Sequence, residues 1–185
     1  MIFAHWRARR AAHVLIDHIH GEIVAAAREP TLYTDCGVPD DLDGRFEMTT
    51  LHADLLLRRL ADLGQTDLAQ EVVDRVFEGF DDALREMSIS DVGVAKRMKK
   101  MANAYFGRAG AYGPALTGRD ADALAAALAR NALRAGDAPT PASRRLAART
   151  LAIQALLAQA PLEAFLSGGF RYPLPETASS TGSES

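Results

Sequence analysis

Three side chains at helical spacing, His13, Asp17 and His20, stand at i, i+4 and i+7 and so fall on one side of any helix that contains them. Such spacing can gather metal ligands onto a single face. A closed site needs further ligands and partners that orient them. None is supplied nearby, so the trio reads as solvated surface and no metal is expected; His18 points elsewhere. His52 shares a flank with Met48, Leu56 and Leu63 and reads as a hydrogen-bonded core histidine. A catalytic base would need a nucleophile or an orienting carboxylate beside it, and the sequence places neither. Cys36 lies in an acidic loop without a basic cluster to lower its pKa, and it is the one cysteine of the chain. It reads as a small apolar residue, it rules out an internal disulfide, and a reducing cytoplasm fits it best. The glycine-rich stretches, Gly107 to Gly118 and Gly168 with Gly169, lack the lysine and serine pair and the preceding strand of a phosphate loop. The acidic loop Asp35 to Asp43 lacks the regular ligand positions of a calcium loop. No catalytic centre and no cofactor are expected.

The strongest remaining signal is electrostatic. Lys96, Arg97, Lys99 and Lys100 follow closely on a segment with Asp67, Glu71, Asp74, Glu78, Asp81 and Asp82. The local field is therefore polarised rather than mixed, and polarised surfaces steer charged partners. The formal net charge of -3 is too small for a bulk attraction to DNA or to an anionic membrane, so electrostatic function has to be local. Met98 and Met101 suit adaptable contacts with apolar segments. The plain alternative is a solvated cationic face. The stretch Asp91 to Arg108 thus reads as a candidate docking surface.

The elements that must position these residues are helices. The chain has 185 residues, 48% of them hydrophobic and 6% aromatic, which suits one core built of helices packed on helices. Apolar positions recur at spacings of three and four from about Ala4 to Arg28 (Leu15, Ile16, Ile19, Ile23), predicting a first helix that Pro30 stops. Thr31 to Gly44 has turn composition and is expected to be a loop. A second helix, about Arg45 to Leu63, is apolar around so much of its circumference that it should be central. Gly64 suits a left-handed helix end, and Thr66 offers an N-cap to a third helix, Asp67 to Met87. A fourth helix runs from Asp91 to Arg108 with Val94, Met98, Met101 and Tyr105 as its buried stripe, and Arg108 to Gly118, with three glycines and Pro114, is expected to be a loop. Alanine-rich helices follow at Asp120 to Ala135 and Pro141 to Ala160, the latter capped by Thr140, with a short turn at Pro161 to Leu166. The expectation is an all-α single domain, 1–174, of six to seven helices, with a flexible tail at 175–185. No apolar run reaches the roughly 20 residues of a membrane-spanning helix. Met1 to Arg10 lacks the long apolar core of a secretory signal, although Trp6 and its arginines could rest on a membrane surface.

Three ordered blocks carry a resemblance: Tyr33-Thr34-Asp35-Cys36-Gly37-Val38-Pro39-Asp40, then Asp43-Gly44-Arg45-Phe46-Glu47-Met48, and Asp91-Val92-Gly93-Val94-Ala95-Lys96-Arg97-Met98-Lys99-Lys100-Met101. Together they resemble the ubiquinol-cytochrome c chaperone family, over approximately Gly21 to Leu116. The resemblance implies an all-helical, non-enzymatic assembly factor for ubiquinol-cytochrome c reductase whose client is newly made cytochrome b. It also implies a contact with the ribosome or an anionic membrane surface, and a cytoplasmic chain that is at most peripheral at the inner membrane. The short amino end points to a bacterial-type member. Carried onto this chain, the partner-binding candidates are Tyr33, Asp35, Arg45, Phe46, Asp91, Lys96, Arg97, Lys99 and Lys100, with a purely structural role equally open for the loop block. A general helical adaptor that binds protein or RNA through residues 96–100 is the competing reading. The oligomeric state is left open.

Overall fold

The apolar stripe of the amino-terminal segment becomes α1 (Ile2–Ala27), burying Ile16, Ile19 and Ile23 on one side. A computed structural model describes residues 2–88 and 90–175, with side chains from residue 10 onward. The amphipathic side chains expected at Met1 to Arg10 lie largely outside that range, as does the expected tail from residue 176. Pro30 ends α1 and also starts a single helical turn, α2 (Pro30–Thr34). Its fixed φ and missing N–H suit a first helical position, so the segment expected to be wholly loop holds a short helix before it turns.

The central element is α3 (Leu42–Asp62), packed against α1, α4 (Thr66–Glu86), α5 (Asp91–Gly118) and α7 (Pro141–Gln159). Leu51, Leu55, Leu56 and Leu60 are buried around most of its circumference, as its all-round apolarity requires. The loop ahead of it is held by its own chemistry. Asp41 caps α3 by accepting the Gly44 N–H at 2.8 Å, and Gly37 adopts φ +71°. A Cβ on Gly44 would lie 1.9 Å from the Pro39 carbonyl oxygen, so only glycine lets the loop close on the helix start. At the start of α4 the N-cap is Gln65, not Thr66, and its side chain makes no capping bond. Gly64 takes the left-handed conformation at φ +70°.

The largest departure from expectation is α5. It does not stop at Arg108 but continues to Gly118, 28 residues in all, about 42 Å at 1.5 Å per residue. Glycine costs about 1 kcal/mol in a helix interior and proline about 3. Burial outweighs these costs: Tyr105, Tyr112, Ala115 and Leu116 extend the stripe begun by Val94 into the core, and each large side chain contributes roughly 1.5–3 kcal/mol. Arg119, in the left-handed region at φ 52°, ends the helix.

Asp120 caps α6 (Ala121–Asn131) through the Asp122 and Ala123 N–H groups. Thr140 and Ser143 form a reciprocal capping box on α7, which packs along α6. After α8 (Leu162–Leu166) the chain crosses back over α1 and α3. His18 Nε2 donates to the Phe170 carbonyl at 2.7 Å, the Tyr172 N–H donates to Glu22 at 2.8 Å, and the Tyr172 hydroxyl donates to the His52 carbonyl at 2.9 Å. Among the described residues the fold is all-α, with six helices of 11 to 28 residues and two single turns.

Candidate functional site

The start of α3, the middle of α5 and the end of α6 enclose a groove of about 380 Å³. Leu42 and Phe46 of α3 and Met101 and Ala104 of α5 give it apolar surface, while Arg97, Lys100, Arg108, Arg130 and Arg134 bring positive charge. Asp43 and Glu47 are the lining acids. Phe46 is held by Phe80, with ring centroids 5.0 Å apart.

The cations divide into two kinds. Arg108 forks onto Glu47, donating from Nε at 2.8 Å and from Nη2 at 2.5 Å, and the Tyr112 hydroxyl approaches the same carboxylate at 3.5 Å. Those bonds to Glu47 raise the Arg108 pKa, against the opposing effect of burial. Burial first, and then Glu47, pushes the Tyr112 phenol up. Arg134 donates to both oxygens of Asp41, at 2.8 and 2.7 Å, and is neutralised where it stands. Arg130 reaches the exposed Asp137 at 3.3 Å. Arg97 and Lys100, by contrast, have no carboxylate partner among the described residues, and both are exposed. The paired arginines build the walls; the unpaired cations supply charge to the groove.

The four-cation cluster is therefore not one patch. Arg97 and Lys100 line the groove with Phe46. Lys96 and Lys99 do not; with 3.6 residues per turn they fall on the outer face of α5 together with Val92, Asn103 and Phe106. Val92 and Phe106 are exposed there, at 82% and 68%. Tyr33 and Arg45 line a separate depression with Arg28 and Asp40. Tyr33 donates to the Ala27 carbonyl at 2.7 Å, and Arg45 pairs with Asp40 at 2.8 Å. The Asp35 carbonyl accepts from Arg145 at 2.8 Å, and Asp91 takes Arg85 at 2.9 Å in the first turn of α5. These four candidates are engaged in holding loops and helix ends.

Of the other chemical candidates, His13 is exposed in a shallow depression with Glu71 and Arg75, and the rest are buried or paired to differing degrees. Asp17 accepts from Arg75 at 2.7 Å. His20 has its pKa lowered, by burial first and then by Arg75. His52 is fully buried; its Nδ1–H donates to the Met48 carbonyl at 2.8 Å, and burial lowers its pKa to about 4. Cys36 is buried, which pushes its thiol up. Sequence reasoning missed Glu47, Arg130, Asn131 and Arg134 as parts of one site. The i, i+4 arginines at the end of an otherwise apolar helix were the available signal.

The family model for ubiquinol-cytochrome C chaperones matches residues 34–172. The chain belongs to this family. The match runs beyond the three sequence blocks, through α6, α7 and α8 to Tyr172, and so includes the α6 wall of the groove. A solved structure, the crystal structure of the Cbp3 homolog from Brucella abortus, is 40% identical with a TM-score of 0.80, covering 94% of this chain and 97% of that one. Among curated proteins none matches significantly. Membership makes the chain a ubiquinol-cytochrome c chaperone by class. No helix among the described residues is long and apolar enough to cross a membrane.

Proposed function

We propose that this chaperone binds newly made cytochrome b in the groove between α3, α5 and α6, before or during membrane insertion, and that it does so without catalysing a reaction. The observation that carries the reading is the pair of unpartnered cations, Arg97 and Lys100, beside an apolar surface made by Phe46 and Met101. Apolar surface with a charged rim is the general anatomy of a protein-binding site. Asp17 is paired with Arg75, and His52 and Cys36 are buried. Deleting the gene in the source organism and measuring cytochrome b and assembled reductase tests the reading directly. Both are expected to fall, and unchanged levels would refute it.

The outer face of α5 favours a second contact, with an anionic membrane surface, made at the cytoplasmic side. Val92 and Phe106 are exposed with Lys96 and Lys99 between them along the same stripe. Apolar residues alternating with cations on one helix face suit an interfacial position. Co-sedimentation with phosphatidylglycerol vesicles should fall when Lys96 and Lys99 become glutamate. Binding that is insensitive to both changes would remove this face from the reading.

A further inference from the structure

Accepting that the groove holds a client segment, we infer that it selects acidic stretches flanked by apolar or aromatic residues and rejects the basic ones. The charge lining the groove is uneven. Glu47 is spent on Arg108 and Asp41 on Arg134, which leaves Arg97 and Lys100 facing one remaining lining acid, Asp43. A carboxylate brought beside Phe46 and Met101 meets two cations that need not break an existing ion pair to receive it. Charge-assisted hydrogen bonds of that kind are short and strong, and stronger still where an apolar side chain displaces water beside them. Asn131, also in the groove wall, is uncharged. Its amide nitrogen is buried and has no acceptor among the described residues, so it lies within the wall and does not offset the positive charge that Arg97 and Lys100 bring to the groove.

The consequence for a membrane-protein client is selective. Cytoplasmic loops of such proteins carry an excess of lysine and arginine, and that excess sets their orientation. A cationic groove repels those loops and leaves them free to make their contacts with the lipid surface. Acidic segments carry little orienting information of their own, and they are the ones this groove retains.

The test uses the full chain and three fluorescent peptides that share one leucine and phenylalanine core, flanked by aspartate and glutamate, by serine and glutamine, or by lysine and arginine. The acidic peptide is expected to bind at least about tenfold more tightly than the neutral one, with the advantage shrinking as salt is raised. The basic peptide should bind weakest. In the double variant Arg97→Glu with Lys100→Glu the order should reverse, whereas Lys96→Glu with Lys99→Glu should leave it unchanged, which also controls for folding because all four positions are exposed. Equal binding of the acidic and neutral peptides would overturn the inference, as would an acidic preference that survives in the first double variant. So would a loss of preference shared by both double variants, the result expected of a diffuse charge effect. Failure here is separable from failure of the client assignment: peptide selectivity with unchanged cytochrome b in the deletion strain removes the client, and the opposite pair of results removes the groove's selectivity.

Discussion

Replacing Glu47 with glutamine removes one charge and little volume from the wall of the groove. Glu47 is almost wholly buried, with its side chain 7% exposed, while its partner Arg108 is 23% exposed. Removing one partner of a buried ion pair costs about 3–5 kcal/mol, because the other charge is left desolvated. Two features reduce that figure here. Arg108 retains some access to water, and glutamine still offers one oxygen to the fork that now receives Nε and Nη2. The expected loss is about 2 kcal/mol, equivalent to a fall in Tm of about 4–8 °C for a domain of this size. Urea unfolding followed by far-UV circular dichroism measures it, and a double-mutant cycle with Arg108→Met isolates the pair from the packing of the two side chains. The same substitution makes the groove more positive, so the folded variant should bind an acidic peptide more tightly. A loss under about 0.5 kcal/mol, the range of ordinary surface changes, would show that the fork contributes nothing, and the division of the arginines into walls and free cations would be wrong.

Other consequences can be checked alongside. Burial holds the folded-state pKa of His52 at about 4, against 6.5 for a free histidine side chain; its neutral form is favoured by folding, so stability is full above pH 6.5 and falls as the pH drops toward 4. The expected total is about 3 kcal/mol, and His52→Gln should flatten that part of the stability profile. Gly44→Ala drives a Cβ into the Pro39 carbonyl and should cost about 3 kcal/mol or more, visible as a large drop in the urea midpoint. Gly107 and Gly110 face open space inside α5, so alanine at each should raise stability by about 0.5–1 kcal/mol. No gain would mean that the helix frays there and the propensity argument fails.

Much of this arrangement is legible in the residues. The stripe Ile16, Ile19, Ile23 and the all-round apolarity of Leu51 to Leu60 point directly to a peripheral α1 and a central α3, because a buried face must repeat with the period of the helix. The end of α5 departs from the expected Arg108 for a local reason. Gly107, Gly110, Gly113 and Pro114 disfavour helix one residue at a time, but Tyr105, Tyr112 and Leu116 keep the 3.6-residue period across them, and tertiary burial decides. Residues Tyr33, Gly44 and Arg45 stand out in sequence because they shape a turn, which sequence alone does not separate from contact with a client. The groove itself was not legible. It joins Phe46, Arg97 and Arg134, which are distant in the chain and meet only because α6 returns along α7 and α5. The charges that matter most are those whose partners are missing, and pairing is a property of the folded state.

The strap from Phe165 to Tyr172 bears on the order in which this chain can finish folding. Phe165, Phe170 and Tyr172 are buried, and their bonds to His18, Glu22 and His52 close loops of 120 to 152 residues. During synthesis the helices before them can form and pair, but the seam between α1 and α3 stays open until Tyr172 has emerged. A ribosome stalled before that point would hold a nascent chain whose amino-terminal helices lack their last cover, with the seam between them exposed to proteases.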